Sequence, residues 1–144
     1  MQRWLCLFLL LTDLQLNALQ TDALTLVRAY VDARNQTMGA AADSKTIERA
    51  LAYCGDDLVY EHPAVKARIE GKQKIRAGMM GYLGQTKNPS YQMRILATRA
   101  NVVVTKVDQR FLVKQDDGSW RPGIRSNLTV FEIANGKIQR ILDY

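Results

Sequence analysis

Lys106 and Asp108 sit two residues apart in NVVVTKVDQRFLV (101–113), a run rich in valine. In an extended strand, residues two apart share a face. One face then carries Val102, Val104, Lys106, Asp108, Arg110 and Leu112, and the other carries Val103, Val107, Phe111 and Val113. An antiparallel strand with one wet face shows this alternation, with Phe111 and its neighbours in the core and the charged pair in water. The other reading turns the charged face into a pocket inside a curved sheet. It needs further polar groups that could converge there, and the chain offers Tyr60, His62 and Asp143. His62 is the only histidine, and an imidazole exchanges protons near neutral pH. Carboxylates and an imidazole in one pocket are the ingredients of general acid–base catalysis. The inward reading of Lys106 and Asp108 is the expectation carried forward.

These residues must be positioned by the surrounding elements. Thr21 is suited to cap a helix running to about Gln36, with Leu24, Val27 and Val31 as its buried stripe and Tyr30 beside it. NQTMGAAAD breaks that helix, and a second is expected from about Ser44 to Cys54, with Ile47 and Leu51 inward. GDDLVYEHP reads as a turn, a short strand and a stop at Pro63, and Gly71 precedes a third helix carrying Ile75, Met79 and Leu83. From Ser90 the period changes to that of strands: SYQMRILATRA, then 101–113, an Asp117-Gly118 turn, and SWRPGIRSNLTVFEI with Pro122-Gly123 as a bulge or bend. Asn135-Gly136 is the strongest hairpin signal, and KIQRILDY follows it. Helices first and a long antiparallel sheet afterwards give an α+β fold, with the helices packed on one side of a curved sheet.

A chain of 144 residues suits one domain and can bury its own core. Hydrophobic residues make up 47% and charged residues 24%, ordinary for a globular domain. The start, MQRWLCLFLLLTDLQLNALQ, has Arg3, an apolar run from Trp4 to Leu11 and small Ala18, the form of a secretory signal peptide over 1–19. The run is too short to span a bilayer, and an amphipathic helix is the other reading, with the chain then cytoplasmic. With the leader gone, residues 20–144 form the domain, Cys54 is the sole cysteine and no intrachain disulfide is possible. Asn35-Gln36-Thr37 and Asn127-Leu128-Thr129 have the form of glycosylation sequons. The net charge of +6 is scattered, without aromatic interleaving or a nucleic-acid motif, so it reads as a basic solvated surface rather than a nucleic-acid site. One histidine and one mature cysteine make no zinc site of the usual spacing, and nothing calls for a metal or another cofactor.

DDLVYEHP…IEGKQKIRAGM followed by TVFEIANGKIQRILDY resembles the nuclear-transport-factor-like, or SnoaL-like, superfamily over about residues 22 to 144. The resemblance implies a cystatin-like cone: a curved antiparallel sheet against three N-terminal helices, of the SnoaL and ketosteroid-isomerase type. Within the superfamily the motifs are most similar to limonene-epoxide hydrolases, which use a Tyr-x-Asn, an Arg-x-Asp and an Asp on three strands. The matching positions here are Tyr60-Glu61-His62, Lys106-Val107-Asp108 and Asp143, with histidine in place of asparagine and lysine in place of arginine. The resemblance implies that Asp143 takes a proton from a water held by Tyr60 and His62. Asp108 then protonates the leaving oxygen, and Lys106 bridges the two carboxylates, more loosely than an arginine fork would.

The substrate implied is a hydrophobic, uncharged epoxide of terpenoid or polyketide type, lined by Tyr30, Val104, Arg125, Leu128 and Ile141, in a homodimeric enzyme. A second reading is a SnoaL-like isomerase or cyclase, with His62 as base, Asp108 assisting, Tyr30 as donor and Arg125 replacing the isomerase's acidic donor. A third is a non-catalytic ligand-binding or dimerisation module. If the leader is a signal, N-terminal sequencing of protein from its native host will begin within a few residues of Leu19. An intact Met1 on soluble cytosolic protein rules the signal out.

Overall fold

Ala23, Val27, Tyr30 and Val31 fall on one side of a helical turn pattern, and all are buried; Asp22, Arg28 and Asp32 point to water. They form helix α1 (22–36) in a computed structural model that describes residues 22–144. The expected leader and Cys6 lie outside the described residues. Helix α2 (Ser44–Leu51) starts at a capping box: the Thr46 amide donates to Asp43 Oδ1 at 2.8 Å, and the Asp43 amide donates to Thr46 Oγ1 at 3.3 Å. It stops at Leu51, short of the expected Cys54. The reason is the sheet: the Ile138 amide donates to the Tyr53 carbonyl at 2.9 Å, drawing the next residues into strand β1 (Cys54–His62).

A 3-10 turn at Pro63–Val65 leads into a short strand that the sequence did not announce, β2 (Ala67–Glu70), paired antiparallel with β1. Gly71 enters helix α3 (Lys72–Gly81) at φ 92°, which a residue with a Cβ resists. Then come β3 (Thr86–Arg99), β4 (Val102–Lys114), β5 (Trp120–Ala134) and β6 (Lys137–Asp143). β3 begins four residues before Ser90 because a bulge between Lys87 and Ser90, with Asn88 at φ 53°, carries the strand past Pro89. Asn135 and Gly136, at φ 53° and 67°, close the β5–β6 hairpin as its sequence predicts.

Pro122-Gly123 is not a bulge, since β4–β5 pairing runs through it without a register shift. Pairing of β5 with β6 begins only at Thr129, so Pro122 sits where β5 has one neighbour and no lost ladder bond. Gly123 is needed for space: a Cβ there would stand 2.7 Å from the Phe111 ring.

The strands form one six-stranded sheet in the order β2-β1-β6-β5-β4-β3. Only β1–β6 is parallel. With α1, α2 and α3 this is the α+β fold of a curved, unclosed sheet. On β4 the buried residues are Val103, Thr105 and Val107. Directly paired residues share a face, so Val103, Phe131 and Ile141 form one inward rung, continued by Tyr60 on β1. Thr105, Thr129 and Asp143 form the next. Tyr30 meets Phe131 edge-on, ring centroids 5.8 Å apart at 72°, and locks α1 onto this face.

Lys106 and Asp108 are therefore on the outer face, contrary to the expectation. Because the side-chain period of a strand is two, the burial of Val103 and Val107 decides the side of every neighbour.

Thr105 is fully buried, and its hydroxyl meets no hydrogen-bond partner. A buried hydroxyl without a partner costs about 1–3 kcal/mol. The near-isosteric Thr105→Val is therefore expected to hold or raise stability, by about 1 kcal/mol, in urea unfolding. A loss of that size would mean that the hydroxyl is bonded in solution.

Candidate functional site

Asp143 ends β6, and its carboxylate lies against the inward face of β5 and β1. Thr129 Oγ1 donates to Oδ1 at 2.5 Å, while Asn127 Nδ2 and the Tyr60 hydroxyl donate to Oδ2 at 2.9 and 3.1 Å. All three neighbours donate, so the carboxylate serves as their common acceptor. A carboxylate offers about four lone-pair sites, which leaves room for one more donor. Thr129 is buried, whereas Tyr60, Asn127 and Asp143 are half-buried. Burial, then the charge of Asp143 and the bond to it, push the Tyr60 phenol up to about 12. It stays a protonated donor at neutral pH.

Around this centre, Tyr30 is buried, and burial chiefly pushes its phenol above the ordinary value, with Cys54, Asp143 and Tyr60 adding to the rise and Arg34 opposing it. Asp143 is the acid whose charge is felt at both tyrosines. His62 lies two residues beyond Tyr60 on β1, and its buried Nδ1 has no hydrogen-bond partner. Toward the end of α1, Gln109 donates to Asn35 at 3.4 Å, and Arg34 donates to Thr37 Oγ1 at 2.6 Å. Arg125 pairs with Gln109 across β4–β5, and its guanidinium stands over the Phe111 ring, 5.8 Å from the centroid.

The structure brings Tyr60, Asp143, Tyr30, Arg125 and Ile141 to the inner face, with His62 following Tyr60 along β1. Ile141 is 4% exposed and belongs to the core beside Tyr60 and Phe131. It does not bring Lys106, Asp108, Val104 or Leu128 there. Asp108 faces outward, where Ser126 Oγ donates to it at 2.6 Å and Lys106 and Arg94 flank it at 3.9 and 3.6 Å. The Ser126 bond, then those cations, hold its carboxyl below the usual range, the opposite of what a protonated acid requires. Leu128 pairs with Lys106 and Val104 with Val130, on that same outer side. The Asp–Lys–Asp bridge expected between β4 and β6 is not formed.

Sequence reasoning missed Asn127 and Thr129. Their signal was the spacing of two on β5, but the same three residues were read as a sequon. Asn127 instead donates to Asp143, and Asn35 of the other sequon is buried against Gln109. Among the described residues no group of His, Cys, Asp or Glu could hold a metal ion.

Residues 27–141 match the model of the SnoaL-like domain, and the chain belongs to that family. No curated protein matches the sequence significantly. Among solved structures it is similar to an LEH-like epoxide hydrolase of M. tuberculosis, at 21% identity and TM-score 0.65, covering 87% of this chain and 83% of that one. A candidate polyketide cyclase from Xanthomonas campestris matches at 16% identity and TM-score 0.71, covering 88% and 91%. A candidate ketosteroid isomerase from Kribbella flavida matches at 17% and 0.57, covering 86% and 77%. At such identities these likenesses establish the shared fold.

The Tyr60 environment sets a pH dependence. Its pKa is raised from 10.0 to about 12 on folding, so the stability it contributes is fully present below pH 10 and is lost as pH rises through about 12. Urea unfolding at increasing pH is expected to show this loss in the wild type and a shallower one in Tyr60→Phe, Tyr30 still contributing. Equal slopes in the two proteins would mean that the Tyr60 phenol is not held against Asp143.

Proposed function

We propose that this protein is an acid–base enzyme that moves a proton on a hydrophobic small molecule, with Asp143 as the base. The observation that carries this reading is the half-buried Asp143 carboxylate, fixed by Tyr60, Asn127 and Thr129 on the apolar inner face. A base on three donors is held in one orientation, and its remaining acceptor site is available to a substrate C–H or to a water. Tyr60 remains protonated and can follow the charge on Asp143 as the proton moves.

The reaction class this favours is isomerisation or cyclisation through an enolate. Such a reaction needs one base that takes and returns a proton, and cationic or hydrogen-bonding groups for the developing oxyanion. Arg34 and Arg125 supply positive charge felt at Tyr60. Epoxide opening needs an acid as well, and the acid expected from the sequence, Asp108, lies on the outer face. The Tyr60–Asp143 bond nevertheless suits a water-holding base, so epoxide hydrolysis stands as the second reading, with the acid supplied by another group. His62 is the rival base, placed two residues from Tyr60 and lacking a partner at Nδ1.

Hydrogen–deuterium exchange α to the carbonyl of β-tetralone, followed by NMR, tests the main reading, and hydrolysis of styrene oxide tests the second. Asp143→Asn is expected to lower the exchange rate by about 10²- to 10⁴-fold, and Asp108→Asn to leave it unchanged. Circular dichroism must show each variant folded, since Asp143→Asn leaves several donors competing for one amide oxygen. Undiminished exchange in folded Asp143→Asn refutes the assignment. A larger loss in His62→Asn than in Asp143→Asn moves the base to His62, and turnover of the epoxide alone moves the reaction to hydrolysis.

A further inference from the structure

We propose that Arg125 is the anion-recognising residue of the inner sheet face, so that the substrate carries a carboxylate beside its apolar body. This rests on the reading of the inner face as a substrate site and names a substrate class that differs from the uncharged molecule expected from the sequence.

Its placement comes from the register. Arg125 is directly opposite Gln109, whose amide meets Asn35 at the end of α1, so both residues are on the inner face. Asn127 lies two residues further along β5 on that face, about 7 Å away along the strand, and donates to Asp143. Arg125 makes no ion pair with Asp143 or with any other carboxylate among the described residues; its recorded contact is the Phe111 ring. The two opposite charges thus stand on one face without pairing with each other.

The support beneath Arg125 is built into the strand. Phe111 is paired with Gly123, and its ring occupies the volume that a Cβ at Gly123 would need, 2.7 Å from the nearest ring carbon. Any larger residue at 123 would displace the ring on which the guanidinium rests. A cation–π contact with an aromatic face favours a guanidinium there while leaving its N–H edge free for a two-pronged carboxylate contact.

The surrounding charges agree. At Tyr60 the charge of Asp143 raises the phenol and the charges of Arg34 and Arg125 oppose that rise, so both guanidinium charges are felt there. Arg34 is half-buried and donates to Thr37 at 2.6 Å, whereas Arg125 is exposed on the sheet face with its guanidinium over the Phe111 ring. His62 borders the β1 side. On the β3 side, Tyr91 donates to Asp32 at 3.5 Å, and the charges of Asp32 and Arg28 act on its phenol in opposite directions. A carboxylate on Arg125 would place the apolar body over the half-buried Asn127 and Tyr60 and bring its reactive carbon toward Asp143.

Calorimetric binding of naphthoate and of its neutral counterpart, naphthamide, to the intact protein tests this. Naphthoate is expected to bind the wild type about tenfold or more tightly than naphthamide, as befits a hydrogen-bonded charge pair. Arg125→Met is expected to abolish that preference without weakening naphthamide, and Arg125→Lys to keep part of it. Asp143→Asn is expected to bind naphthoate at least as well as the wild type, so that failure of Asp143 as base and failure of Arg125 as anion site are read separately. Failure of the wild type to bind naphthoate, equal binding of the two probes, or a preference that survives in Arg125→Met overturns the proposal.

Discussion

The short parallel seam between β1 and β6 is the contact on which the site depends. It pairs Val59 with Arg140, Tyr60 with Ile141 and Glu61 with Leu142, residues about eighty apart in the chain. A parallel pair cannot be closed by a tight turn, so everything between β1 and β6 is the crossover that joins them. Once the seam is made, the Tyr60 hydroxyl falls beside the carboxylate of Asp143, and β5 presents Asn127 and Thr129 from the other side. The loop-closure entropy of so long a connection is repaid by the core beneath it, where Leu58 and Ile138 are fully buried and Ile141 and Phe131 nearly so.

The sheet separates two kinds of polar chemistry. On its outer face Glu61 meets Arg68 and Arg140, Arg140 meets Glu132, and Asp108 meets Ser126, Arg94 and Lys106. The exposed pairs around Asp108 contribute about 0–1 kcal/mol each. On the inner face a single carboxylate is bound by neutral donors, at the border between a sealed apolar floor and solvent. The low polarity of that border strengthens each hydrogen bond made there. Asp143 is held by neutral donors alone, whereas Asp108 is held by a hydroxyl and two cations.

The helices, the hairpin at Asn135-Gly136 and the change from helical to strand period at the middle of the chain were legible because each is a local signal. Strand β2 was not, since its alternation runs for only four residues, too short a signal by itself, and its strand geometry comes from pairing with β1. The site was half legible. Tyr60, His62, Tyr30, Arg125 and Asp143 were named from residue type and resemblance. Asn127 and Thr129 were hidden inside a sequon, and Lys106, Asp108, Val104 and Leu128 were assigned to the wrong face.

That last error has a specific physical origin. The sequence by itself determined the alternation along 101–113: the two sets of residues on opposite sides of the strand are a consequence of backbone geometry. It did not determine which set faces inward, because valines occur on both sides and a slip of one residue reverses the assignment. Tertiary structure decided it. α1 covers one side of the sheet, and Val103 and Val107 pack with Val27, Tyr30 and Phe131 in a single buried cluster. Burying Lys106 and Asp108 instead would have cost their hydration, and Ser126 and Arg94 on the open face satisfy Asp108 without that cost.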